Sequence, residues 1–420
     1  MKKSYSGANI LLPDFEKIDA NKWAAVACDQ FTSQPDYWEK AFAIAGDAPS
    51  TLKIMLPEVY LSESKERIPV INETMKKYAK DVLVEHSESM IYVERTQSDG
   101  TVRQGLMLAV DLECYDYKKG ASSLIRATEA TVADRIPPRV AIRRGACLEL
   151  PHVMLLIDDP DHSVIEPLAK AKLTDVAYDT PLMLGGGHIK GYFISDSEKE
   201  RIGNALDALI TPEAMSARYG SEGLAPLLFA VGDGNHSLAS AKAAYEEIKA
   251  KIGEADAVSH PARYALVEVV NIHSEALKFE PIYRVMFKVD PKDVLEALKN
   301  YLSTLGGSVA PQKISYVWSE DSGVITAEHP DRQLTVATLQ EFIDAYLSSH
   351  PDAEVDYIHG EAAVEELSKK QGAVGFMFEG MEKDQLFKTV IFDGALPRKT
   401  FSMGHAEDKR YYMECRKIDV

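Results

Sequence analysis

The chain lacks the features that would place it outside the soluble interior of a cell. No stretch reaches 18 consecutive apolar residues, and no basic region followed by an apolar core opens the sequence. Neither a membrane span nor an export signal is therefore expected, and the cytoplasm is the expected location. Only four cysteines occur, Cys28, Cys114, Cys147 and Cys415, far apart and without C-x-x-C spacing. That pattern argues against a zinc site and against a disulfide framework. Positive charge is scarce: 47 Lys and Arg stand against 65 Asp and Glu, a formal net charge of −18. A polyanion needs a basic face to neutralise its phosphates, so a nucleic-acid partner is not expected. Internal repeats and low-complexity tracts are also missing.

What remains is ordinary for a globular protein. Apolar residues make up 45% of the 420 residues and charged residues 27%, enough to bury a full core in two or three domains. The partner expected is a small molecule, and an oligomer is allowed.

The most informative stretch runs from Leu227 to Ser237, with an alanine-rich helical pattern from Leu238 to Tyr245 behind it. An apolar run of strand length ends in Gly232, Asp233, Gly234, Asn235, His236 and Ser237, and reads as strand, tight turn and helix. Such a junction offers backbone N–H groups and the positive end of a helix dipole, and glycines let a ligand approach the main chain. A phosphate is the natural guest. Asp233 can orient a nucleophile or a magnesium ion, and His236 can contact a phosphate oxygen or shuttle a proton. Asn235 and Ser237 can serve the phosphate or simply cap the helix.

Other candidates flank this turn. The strand Trp23 to Cys28 runs into a polar loop with Asp29, Gln30, Thr32 and Ser33, where α/β proteins often place substrate contacts. A helix is expected over Ser122 to Arg135. On it Arg126 and Glu129 share a face, either as a surface ion pair or as phosphate clamp and general base. Asp158 and Asp159 after the strand Val153 to Ile157 suit magnesium or an ordinary turn. Gly185, Gly186 and Gly187 match neither the P-loop nor the dinucleotide fingerprint. Near the C-terminus, Arg398, Lys399, His405 and Arg410 are candidate phosphate or carboxylate ligands, or solvated charges.

The expected fold is mixed α/β: a central mixed sheet with helices, plus a smaller α+β unit. The sheet's middle should hold Ala262 to Ile272, apolar almost throughout except for Glu268. The expected division is 1–289 for the main domain, 290–372 for the smaller unit, and 373–420 returning to the main domain.

Several motifs carry a family resemblance. Gly232 to Ser237, Trp23 to Pro35, Asp47 to Thr51 and Leu124 to Glu129 resemble the bacterial family called domain of unknown function 1015, over Ile10 to about Ile418. The turn alone is similar to the Asp-Gly-His-Thr-Arg turn of free-serine kinases in the ParB and sulfiredoxin superfamily, which holds nucleotide phosphates at a helix start. Asn235, His236 and Ser237 stand where those enzymes have His, Thr and Arg. This second resemblance implies a ParB/sulfiredoxin-like core and a glutamate as base, a role open to Glu129.

Taken together, the residues point to a phosphotransferase acting on a small hydroxylated metabolite, with serine favoured, or to the reverse dephosphorylation. ADP or ATP would be the donor and Mg2+ the bridging ion at Asp233. A nucleotide- or metabolite-binding regulatory protein without turnover is the alternative. A metal hydrolase built on His152, Asp158, Asp159 and His236 is a third reading, without recognisable ligand spacing.

Overall fold

The computed structural model describes residues 3–129 and 136–419. Among these, ten strands form one mixed sheet. We label them β1 (Tyr5–Ser6), β2 (Ile91–Thr96), β3 (Val102–Asp111), β4 (Tyr115–Asp116), β5 (Ile125–Arg126), β6 (Met154–Ile157), β7 (Val176–Pro181), β8 (His188–Phe193), β9 (Phe229–Asp233) and β10 (Tyr264–Asn271). Their order across the sheet is β7, β8, β2, β3, β10, β6, β9, β5, β4, with β1 paired to β3.

Local chemistry accounts for much of this. The β2–β3 hairpin turns at Asp99–Gly100, where Gly100 takes φ +83° and Gln97 N–H donates to Thr101 O at 2.8 Å. Strand β10 is buried from Ala265 to Asn271, antiparallel to β3 on one side and parallel to β6 on the other. Both faces of the sheet are covered. Ile91, Val93, Met107 and Ala109 enter one apolar cluster with Trp23 and Trp38, while Tyr92, Leu106, Leu108 and Val110 enter another with Phe229, Leu238 and Tyr245. Such alternation is the two-residue period of a strand read out on both sides.

The expected helix over Ser122 to Arg135 does not form in its described part. Ile125 and Arg126 are a strand, parallel to β9, and the remainder of that stretch from residue 130 lies outside the described residues. Pairing with a neighbour distant in sequence overrides local periodicity here.

Contacts divide the described residues into two units. Residues 3–127, 136–277 and 405–419 make the first, and 128–129 with 278–404 the second. The boundary therefore falls at Lys278 and not at 290, and 373–404 belongs to the second unit. Only 405–419 returns to the first.

That returning segment is pinned inside the first unit by hydrogen bonds and buried charge. Tyr411–Tyr412 pairs with Ala25–Val26, Arg416–Lys417 pairs with Leu148–Glu149, and the Trp23 indole donates to Met413 O at 2.9 Å. Arg410, 3% exposed, sits 3.0 Å from Glu268 of β10 and pairs also with Glu414, both carboxylates being fully buried. Arg103 on β3 reaches the other oxygen of Glu268 at 3.4 Å. Gly105 makes room for this carboxylate, since a Cβ there would lie 2.3 Å from Glu268 Oε1. A second group joins Glu149 to Arg416, at 2.7 Å, and to Arg143.

The second unit has its own antiparallel sheet, in the order Asp321–Ala327, Gln312–Trp318, Ala373–Phe378, Phe279–Phe287, Glu354–His359. The helices Pro291–Ser303, Thr335–Ser349 and Glu361–Ser368 belong to it. Asp290 caps the first of these by accepting from Lys292 N–H. Arg284 is fully buried and donates to Gln340 Oε1 and to the carbonyls of Ile282, Arg398 and Lys399.

Two outcomes follow from the buried charges. Arg410→Met leaves Glu414 without its cation and Glu268 with Arg103 alone at hydrogen-bond distance, and is expected to cost about 3–5 kcal/mol in urea unfolding. The pKa of Glu149 is pushed up by burial, but Arg416 and Arg143 outweigh that and hold it below its ordinary value. Its contribution to stability is thus present above the ordinary glutamate range and lost as pH falls through the depressed value. Unfolding midpoints of the native protein and Glu149→Gln, measured from neutral to acid pH, are expected to converge only in that acid range.

Candidate functional site

The Gly-Asp-Gly turn stands where β9 ends and the helix Asn235–Ile252 begins. Gly234 is the N-cap residue at φ +82° and has no side chain to cap with, and Asn235 and Ser237 lie in the helix's first turn and not at the cap. Each glycine has a steric reason. A Cβ on Gly232 would lie 2.8 Å from Leu156 Cγ, and one on Gly234 would lie 3.1 Å from the main chain of Val153. Strand β6 runs antiparallel to β9 with Met154 opposite Asp233, which brings the residues just before β6 alongside the turn.

The Asp233 carboxylate is held from two sides. Oδ1 accepts from Gly234 N–H at 2.9 Å, and Oδ2 lies 3.0 Å from Nζ of Lys409. Lys409 is the neighbour of the anchored Arg410, and its side chain is mostly buried. Sequence reading singled out four other cations near the C-terminus and missed this one. The basic cluster Lys409–Arg410 was a visible signal, but nothing local distinguishes which of the two faces the turn.

The loop after Cys28 meets the same region. Asp29 is partly buried and Oδ1 accepts from the Gln30 amide at 2.9 Å, while Oδ2 faces His152 Nε2 at 3.9 Å. Burial disfavours the charged form of Asp29, but the His152 ring, the Gln30 amide and the Lys409 ammonium outweigh it and hold the pKa below the ordinary value. Thr32 and Ser33 are exposed further along the loop. On the other side of His152, Nδ1 lies 2.7 Å from the Tyr412 hydroxyl, which accepts from Cys28 N–H at 3.2 Å. The Cys28 thiol is pushed up to about 12 by burial, which argues against a thiolate nucleophile.

Arg126 points elsewhere. It is buried, its Nε donates to Ser123 O at 2.8 Å and its Nη2 to Ala225 O and Pro226 O at 3.0 Å each. This guanidinium braces the backbone that leads into β9. Glu129 forms a bridge with Leu396 in the second unit, which also contains Arg398 and Lys399. Arg398 donates to the Tyr357 hydroxyl at 2.7 Å, and Lys399 takes a strained φ of +57°. Arg410 and His405 lie in the first unit, Arg410 being consumed by the buried carboxylates.

The ligand set of a metal hydrolase is not assembled. His152 precedes β6 and Asp158 follows it, so they occupy opposite ends of one strand. Asp158 instead accepts from Tyr219 at 2.6 Å and sits 2.7 Å from His273 Nε2. Asp159 closes an ordinary turn by accepting from Ser163 N–H and Val164 N–H. Among the described residues no group of three or more His, Cys, Asp or Glu has metal-holding geometry.

Comparison with known proteins identifies the family. A model described as "Protein of unknown function (DUF1015)" matches residues 12–415, and the chain belongs to that family. No curated protein matches. Among solved structures, similarity is found to a free serine kinase mutant in complex with AMP, at 12% identity and TM-score 0.38, covering 74% of this chain and 91% of that one. A conserved hypothetical protein from Pyrococcus furiosus follows at 10% identity and TM-score 0.35, covering 74% and 95%. SbnI with a C-terminal truncation, from Staphylococcus aureus, matches at 11% and 0.35, covering 71% and 82%. Among the described residues, no helix is long and apolar enough to cross a membrane.

The turn's glycines give a direct check. Gly232→Ala must push against Leu156 and is expected to cost about 1–3 kcal/mol, and Gly234→Ala about 1–2 kcal/mol for its left-handed backbone. Denaturant midpoints of both variants measure this, and an unchanged midpoint in either would show that the turn is not built this way.

Proposed function

We propose that this DUF1015 protein is a phosphotransferase, moving a phosphoryl group between a nucleotide and a small hydroxylated metabolite such as serine. The observation that carries the reading is the grouping of a glycine turn, the Asp233–Lys409 pair and the Asp29 loop at one end of β9. Phosphoryl transfer depends on positioning and electrostatics more than on covalent chemistry. In this reading the turn from Gly232 to Ser237 receives the donor's phosphates, with the helix start and Lys409 supplying positive charge. Lys409 takes the part that the missing arginine of the turn plays in the free-serine kinases.

A magnesium ion would find one protein carboxylate here, Asp233, whose Oδ2 it would have to share with or take from Lys409. Magnesium is commonly bound by one or two carboxylates plus substrate phosphates and water, and Asp233 offers such a carboxylate. Bound there it would neutralise phosphate charge. His236, Asn235 and Ser237 would contact the phosphates, and Gln30, Thr32 and Ser33 the acceptor. Arg126, Glu129, Arg398 and Lys399 are not needed at this centre, and the reading rests on residues of the first unit.

A second reading, a regulatory protein that binds a nucleotide or phosphorylated metabolite without turnover, draws on the same Asp233–Lys409 pair. An ammonium already seated on the carboxylate can hold phosphate without a metal.

Calorimetric titration with ADP, ATP and phosphoserine, each with and without magnesium, tests both. Binding of at least one nucleotide is expected, lost or strongly weakened in His236→Ala. Lys409→Met is expected to weaken it about tenfold to a hundredfold, the worth of one charge-assisted hydrogen bond. If none of the three ligands binds, the phosphate reading falls.

A further inference from the structure

A hydrogen-bond chain beside the turn runs from Cys28 through Tyr412 to His152. Cys28 N–H can only donate, so at 3.2 Å the Tyr412 oxygen accepts there. Tyr412 is buried, and burial holds its phenol pKa well above the ordinary value, so it keeps its proton. Two acceptors are in reach of that proton, the Cys28 thiol and His152 Nδ1 at 2.7 Å, and the imidazole nitrogen is the stronger of the two. With Nδ1 accepting, the neutral imidazole carries a hydrogen on Nε2, and the charged ring carries one there as well.

Nε2 looks across 3.9 Å to Asp29 Oδ2. The gap is too wide for a direct hydrogen bond. It suits a third atom lying to one side, at hydrogen-bond distance of about 2.8 Å from both. The two edges are of opposite kinds, an N–H that donates and a carboxylate oxygen that accepts. A hydroxyl group matches both at once, its oxygen accepting from Nε2 and its hydrogen donated to Oδ2. The other Asp29 oxygen is held by Gln30.

We propose that this gap is the subsite for the acceptor's hydroxyl, that Asp29 is its proton acceptor, and that His152 holds its oxygen. Tyr412 is then a positioning residue, fixing the imidazole so that N–H and not a lone pair faces the substrate. The inference rests on the phosphotransferase reading. In the transfer step the hydroxyl oxygen forms a bond to the terminal phosphorus of ADP or ATP, and the bond from that phosphorus to the nucleotide's bridging oxygen breaks. The hydroxyl proton passes to Asp29, and the electron pair leaves on the shortened nucleotide. This assigns to Asp29 the task that sequence reading gave to Glu129.

The test measures two things on the same full-length variants: ADP and ATP binding by calorimetry, and phosphoryl transfer to serine and a panel of small hydroxylated compounds. Asp29→Asn is expected to keep nucleotide affinity within twofold while kcat falls at least about a hundredfold, the usual worth of a general base. Glu129→Gln is expected to keep both. Tyr412→Phe is expected to lower kcat about tenfold, the worth of one hydrogen bond, with nucleotide affinity unchanged. If Asp29→Asn raises KM for the acceptor with kcat intact, Asp29 only binds substrate and the proposal is overturned. It is equally overturned if Glu129→Gln abolishes transfer while Asp29→Asn does not, or if nucleotide binds and no panel compound is phosphorylated. Absence of nucleotide binding in the native protein instead removes the phosphotransferase reading itself, and this proposal with it.

Discussion

The first unit depends on one buried guanidinium. Strand β10 carries Glu268 into the middle of a sheet covered on both faces, where an unpaired carboxylate is unsustainable. Arg103 provides part of the compensation, and the rest comes from Arg410, far along the chain. The ion pair is weak evidence of net stability, because desolvating both partners is costly. Its effect is to specify position. Once Arg410 is seated between Glu268 and Glu414, its neighbours have little freedom: Lys409 meets Asp233, and Tyr411–Tyr412 pairs with Ala25–Val26.

The candidate site is a by-product of that anchoring. Its parts come from four separated places: the loop at Asp29, the entry to β6 at His152, the turn at Asp233, and the returning segment at Lys409 and Tyr412. Charges of both signs meet in it: the Lys409 ammonium pairs with Asp233 and lowers the pKa of Asp29, which also faces the His152 imidazole. An anionic ligand entering here meets one cation and a helix start, but also has to contend with Asp29 and Asp233. Such a balance favours a ligand that brings its own cation or that presents phosphate to one side and a hydroxyl to the other.

Sequence reading succeeded where the signal is local. The junction at Leu227 to Ser237 shows as an apolar run, two glycines and a helical pattern, and the structure has a strand and a helix meeting there. The β2–β3 hairpin is written in Asp99–Gly100, and the central place of β10 in its apolar run. The failures share a cause as well. The Ile125–Arg126 strand is set by pairing with Phe229–Ala230, a hundred positions away, and helical spacing around it carried no information about that partner. Arg126 reads as half of a surface ion pair or as a phosphate clamp because the carbonyls of Ala225 and Pro226 that occupy it are equally remote. Lys409 and Arg410 are adjacent and similar in charge, yet one faces the turn and the other the core, a distinction made by carboxylates remote in sequence, Asp233 for the one and Glu268 for the other.

The first unit is interrupted between Leu277 and His405, and the interruption begins and ends in a paired strand: Phe279 lies opposite Met403, and Pro281 opposite Phe401. Once the second sheet has formed, its two ends are already side by side. Closing a flexible loop of that length would cost about 4 kcal/mol in chain entropy. A prefolded insertion removes most of that charge from the docking of 405–419, because the returning segment is then tethered to Leu277 by a short staple. The second unit thus acts entropically on the first: melting it alone would turn the staple back into a long slack tether, and Lys409 and Tyr412 would be loosened from the turn without any contact of theirs being altered.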